Sequence, residues 1–131
     1  NELPIVKVTF GDKIENDEEI NNFFKEWLSL YLKKKHFIFL FETKNLGMFA
    51  FPYIRQGANI LKQIKSLKKN YLKFTILIIR GTIIRNLINM LFTIQKPSQI
   101  VYIVKDEIEA EDLYIKKCNN ENCDDYTCVY P

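Results

Sequence analysis

A chain of 131 residues, 47% hydrophobic and 14% aromatic, is long enough to bury one core and too short for two ordinary domains. Its formal charge of +3 comes from lysines spread along the chain, without the concentrated basic face of a nucleic-acid binder. Apolar runs such as 74–79 are interrupted well short of the roughly 20 residues that a membrane-spanning helix needs, so no membrane insertion is expected.

Abundant Ile, Lys and Asn fit an AT-rich coding bias, which raises lysine without a functional cause. The first residue is Asn, with no basic n-region or apolar h-region behind it, as in a processed chain or a segment cut from a longer one. No export signal is read, and a cytoplasmic protein is expected.

In chain order, IVKVTF at Ile5 to Phe10 sets Val6, Val8 and Phe10 against Lys7 and Thr9, which predicts a strand with one solvated face. Gly11 ends it. Asn16 followed by Glu19 has the spacing of a capping box, so a helix should begin near Asp17. Ile20, Phe23, Phe24, Trp27, Leu28 and Tyr31 recur at helical period and form its inward stripe. Lys33 to Lys35 are expected to close this helix, where the macrodipole favours cations.

Phe37 to Phe41 is apolar without alternation, the pattern of a strand covered on both faces in a parallel, helix-flanked sheet. A connection over 42–52 follows. A second helix, with Ile54, Gly57, Ala58, Leu61 and Ile64 in line, should run from Tyr53 to about Lys69. The unit then repeats: Phe74 to Ile79 as a buried strand, Arg80, Gly81 and Thr82 as turn and N-cap. A third helix carries Ile84, Leu87, Ile88 and Leu91 inward and stops near Thr93, ahead of Pro97. Ile100 to Val104 reads as a further strand, and Asp106 as the cap of an acidic helix holding Ile108, with Leu113 or Ile115, against the sheet.

These elements predict a single α/β domain with β-α-β-α-β-α-β-α order and a mostly parallel sheet of four strands, or five, flanked by helices on both faces. The domain is placed at residues 1–117. Residues 118–131, polar and bearing Cys118, Cys123 and Cys128, read as a flexible tail.

Chemistry-bearing motifs are sparse. Neither G-x-G-x-x-G nor G-x-x-x-x-G-K-[ST] occurs, so the phosphate loop of a nucleotide enzyme is missing from this βα rhythm. His36 stands without a nearby Cys or acid pair and reads as a solvated or capping residue. Glu42, at a strand exit, reads as an acceptor that orders the following loop. The C-x4-C-x4-C thiols lack a fourth ligand and the C-x-x-C pairs of structural zinc sites, which leaves free thiols in a reducing cytosol. No metal, cofactor or catalytic residue is assigned, and no enzyme is expected.

The strand ending at Gly11, the apolar helix after it, the buried strand leaving through an acid in FIFLFETKNL, and IEAEDL with an inward Ala110 together resemble the STAS domains. This family includes bacterial anti-sigma-factor antagonists and the cytoplasmic tails of sulfate transporters. The resemblance covers Ile5 to Ile115 and implies a STAS-like fold with a regulatory, protein-binding role. By that likeness Glu42 falls where the family often has an Asp. Ala50 and Phe51 fall where its switch members carry an Asp followed by a phosphorylatable Ser or Thr. Phe51 and Pro52 have no hydroxyl, so the phospho-switch is not expected here. The strand that usually precedes the first one would be absent or lie upstream of Asn1.

The segment GMFAFPY at Gly47 to Tyr53 packs apolar and aromatic residues into a connection that is ordinarily polar. Those residues either plug the end of the core or form a partner surface of Met48, Phe49, Phe51 and Tyr53. The first functional reading is therefore a non-catalytic interaction module that binds another protein, or a second copy of itself, through this surface. The alternative is a small-ligand, lipid or nucleotide-phosphate binder, with an anion held by Arg80, Gly81, Thr82 and Arg85 at a helix N-terminus.

Overall fold

Five strands pair in chain order in one sheet: β1 (Ile5–Thr9), β2 (Phe37–Glu42), β3 (Leu72–Ile78), β4 (Val101–Val104) and β5 (Thr127–Val129). In this computed structural model, which describes residues 4–9, 17–44, 46 and 48–131, β1 to β4 run parallel and β5 pairs antiparallel with β4. Each parallel pair needs a crossover, supplied by α1 (Asp17–Leu32), α2 (Ile54–Lys65) and α3 (Thr82–Ile94). A short 3-10 helix, Met48–Tyr53, leads directly into α2.

Because each strand joins the sheet beside its predecessor, crossovers of one hand bring α1, α2 and α3 onto the same face. Tyr31, Ile60 and Ile64 cover Phe37, Phe39 and Leu72 there, while Leu61, Leu87 and Ile88 cover Leu77, Ile79, Val101 and Ile103. The opposite face carries the alternate residues Ile38, Phe74, Ile76, Ile78, Tyr102 and Val104. These pack against Ala110 and Leu113 of α4 (Glu107–Cys118). β3 holds one extra residue between Leu72 and Thr75 relative to β2, so Leu72 and Thr75 can share a face.

The predicted α/β order is therefore present, with both faces covered but unequally, three helices against one. β1 is an edge strand: Val6 and Val8 pack towards α1, while Ile5, Lys7 and Thr9 are exposed beyond the reach of α4. Phe10, Gly11 and the Asn16 cap lie outside the described residues.

Several local expectations need correction. Lys33 to Lys35 do not close α1, which ends at Leu32; Lys34 is left-handed at φ 55° and turns the chain into β2. α2 ends at Lys65, where the Ser66 N–H bonds back to the Lys62 and Gln63 carbonyls, short of Lys69. In α4 the inward positions are Ala110 and Leu113, one turn apart, while Ile108 is 81% and Ile115 48% exposed. A small residue at 110 lets α4 approach the sheet closely, and Ile108, two positions away, is on another side of the helix.

The terminal segment 118–131 is likewise not a tail. Asn120, left-handed at φ 57°, turns the chain after α4, and Thr127–Val129 then satisfies the free edge of β4. Cys123 is buried in the α4-side core, beside which Cys128 packs, and Val129 packs on the other face. A polar composition concealed a three-residue strand whose pairing is entirely tertiary.

Candidate functional site

The carboxyl ends of β2 and β3 and the start of α3 meet at one edge of the sheet. Glu42 closes β2 on the α4 side and is only 4% exposed. Its Oε2 accepts from the Lys44 N–H at 3.2 Å, which is the loop-ordering role expected of it. Its Oε1 accepts from both Arg80 Nε at 3.0 Å and Nη2 at 2.5 Å, so one carboxylate oxygen takes two charge-assisted hydrogen bonds. Arg80 Nη2 also comes within 4.0 Å of Glu107 at the start of α4. Glu42 first, then the charges of Glu107 and Asp106, raise the Arg80 pKa above its ordinary value. Beside it the buried Thr43 hydroxyl donates to the Ile78 carbonyl at 2.7 Å. These bonds tie the ends of β2 and β3 to α4.

An open groove of about 450 Å³ lies over this edge, lined by Thr43, Lys44, Leu46, Arg80, Gly81 and the first turn of α3. Gly81 caps α3 with extended backbone and no side-chain hydrogen bond. Of the expected anion contacts, Arg80, Gly81 and Thr82 are brought together here, but the Arg80 guanidinium is already matched by Glu42. Arg85 is half-buried one turn into α3. Strand order never reverses in this sheet, so the crevice that doubly wound folds open for ligands at a switch point is not formed.

The 3-10 helix packs against both α2 and α3. Ala50 is buried, and Phe51 is half-buried against the core beneath α2 and α3. The Tyr53 hydroxyl donates to the Asp17 carboxylate of α1, which pushes its pKa up, and Gln56 Nε2 donates to Asn21 Oδ1 at 2.9 Å. The side chains of Met48 and Phe49 lie outside the described residues. In the proposed partner surface, then, Phe51 serves the core in part and Tyr53 fastens α2 to α1.

Sequence reasoning passed over the outer side of α3. Ile83, Met90 and Ile94 stand 48%, 49% and 55% exposed, at spacings of seven and four residues that align them along one side of the helix. The heptad-like spacing was readable, yet the inward Ile84, Leu87, Ile88 and Leu91 absorbed the whole apolar signal of the segment. Ile83 also lines the groove, so the stripe begins at the sheet edge.

Beneath the helical layer lies an apolar cavity of about 130 Å³, bounded by Trp27, Phe39, Gly57, Leu61, Leu77 and Leu91 among others. The Trp27 indole N–H is buried, and among the described residues no acceptor meets it in good hydrogen-bond geometry. Tyr31, on the next turn of α1, has its pKa pushed up to about 12 by burial, which the hydrogen-bonding approach of the Trp27 side chain opposes.

His36 is exposed and packs at a tilt against the Tyr71 ring, with Nδ1 3.4 Å from the Tyr71 carbonyl. The three thiols are free, and burial raises the pKa of Cys123, whose Sγ lies 3.6 Å from the Glu121 carbonyl. Among the described residues no three His, Cys, Asp or Glu side chains gather around a metal-sized space, and no helix is long and apolar enough to cross a membrane. Comparison of the chain with protein-family models, curated proteins and solved structures finds no match.

Proposed function

We propose that this domain is a non-catalytic interaction module of STAS-like type that binds another protein through the carboxyl edge of its sheet and the adjoining outer side of α3. The observation that carries this reading is the exposed line Ile83, Met90 and Ile94, three large aliphatic side chains continuous with the groove. Such a stripe suits a partner helix presenting aliphatic side chains at the same spacing, since ridges of this kind interdigitate. A second copy of the chain would meet the same requirement. The STAS-like reading itself is supported by the buried β2 leaving through Glu42 and by the inward Ala110 of α4.

The groove favours a polypeptide over a free anion. Its guanidinium is compensated by a buried carboxylate, and an entering phosphate would have to displace Glu42. Ile83→Asp with Met90→Asp is expected to release a partner that co-purifies from native cells. The fold should survive, because both positions are surface ones. Undiminished partner recovery with a native circular dichroism spectrum would contradict the proposal.

A further inference from the structure

We propose that the cavity between the helical layer and the sheet is a channel that takes up a single unbranched alkyl chain, as carried by a medium-chain alcohol or acid. This goes beyond the partner-binding role and rests on a different part of the molecule. The channel wall follows β3 from Leu72 to Leu77, roughly 16 Å at about 3.3 Å per residue, between the 97–99 segment at one end and Leu46 and Ala50 at the other. A volume of about 130 Å³ drawn out over that length leaves a narrow bore. A ring would have to push the walls apart, whereas a methylene chain lies along them.

Thr75 marks the space from inside. It pairs with Phe39 and Val101 in the middle of the sheet, beneath the helices, where both partners are only 3% exposed. Thr75 is half-buried instead, and the cavity it lines accounts for the surface it keeps. Nearly all the remaining wall is aliphatic or aromatic, so a water molecule would find few of the two to four polar partners it needs. An apolar cavity of roughly 150 Å³ stays dry and takes up benzene, so about 130 Å³ has room for a chain of about six carbons.

Straight-chain alcohols from butanol to decanol, titrated into the isolated protein and read on the fluorescence of Trp27, test the proposal. Trp27 is the single tryptophan and a wall residue. Affinity should rise about fourfold per added methylene up to hexanol or heptanol, then flatten to within about twofold once the channel is full. Hexanol should bind about tenfold more tightly than cyclohexylethanol, which carries more carbon but a ring that overpacks the bore. At Gly57 an added Cβ would meet Leu91 Cδ1, on the facing wall, at 3.4 Å. Gly57→Leu and Thr75→Leu should each take up space and weaken hexanol about tenfold. Ile83→Asp, on the outer side of α3, should leave its affinity unchanged. No saturable change, an affinity that climbs at the same slope through decanol, or a ring that binds as well as the chain would overturn the inference. So would wild-type affinity in a folded channel variant. The first three are read on the wild-type protein, so they decide the matter even if both leucine substitutions unfold it. None of these results depends on whether α3 has a partner.

Discussion

Tyr31 shows how one buried side chain sets a measurable pH dependence. Its hydroxyl is held neutral by burial, with a pKa of about 12 against an ordinary value of 10.0. The folded state therefore disfavours the phenolate relative to the unfolded chain. The associated stability is whole below pH 10 and is lost as pH rises from about 10 to 12, roughly 2–3 kcal/mol in all. Denaturant melts at pH 9 and 11.5 should show a fall in wild type that exceeds the fall in Tyr31→Phe by about 1.5–2 kcal/mol, most of the full amount; parallel falls would refute the assignment. Leu113, 0% exposed beneath α4, anchors that helix, and Leu113→Ala should cost about 2–5 kcal/mol in the same assay. Among the thiols, Cys123 should be alkylated last under native conditions, since burial and a raised pKa both suppress its thiolate. Mass spectrometry of a timed iodoacetamide reaction checks the order.

Element by element, legibility in the sequence followed the source of each element's stability. β2, β3 and α1 to α3 could be read because their own residues carry the pattern: continuous apolar runs for strands buried on both sides, and inward stripes at helical period. α4 was placed correctly by its Asp106 cap, whose carboxylate accepts from the Glu109 N–H at 2.8 Å, and Ala110 and Leu113 do face inward, but Ile108 was wrongly given to the same face. Hydropathy favoured Ile108 for the sheet, but it lies two positions from Ala110 and on another side of the helix. β5 was missed because three residues with one apolar flank give no periodic signal, and only the unpaired edge of β4 makes them a strand. Truncation after Lys117 should consequently lower the melting temperature and promote association through that exposed edge, where loss of a true tail would change neither. Sedimentation velocity with a thermal melt decides between them. At the other end of α3's crossover, Gly81 is extended at φ −155° with open space around it, so nothing in the backbone requires glycine. Gly81→Ser should add a side-chain cap and stabilise the fold by about 0.5 kcal/mol.

For the whole molecule, strand order decides what the sheet edge offers. A sheet that grows always in one direction stacks its crossover helices on one face and never opens a switch-point crevice. The expected anion contacts were legible as residues, but the partner of Arg80 was not. Glu42 lies 38 positions earlier, and only the alignment of β2 with β3 brings it there. The exposed stripe on α3 was hidden for a related reason, since periodicity shows that a helix is apolar over a wide sector without showing how much of that sector a neighbour covers.

The claim that α3 meets a partner is tested most directly by placing a photo-crosslinking amino acid at position 90, on the stripe, and at the exposed neighbour Asn89, off it, in native cells. A discrete protein adduct from position 90, absent from position 89 and lost with Ile83→Asp, is the predicted result. Equal or absent adducts at the two positions, with both proteins folded, would contradict it.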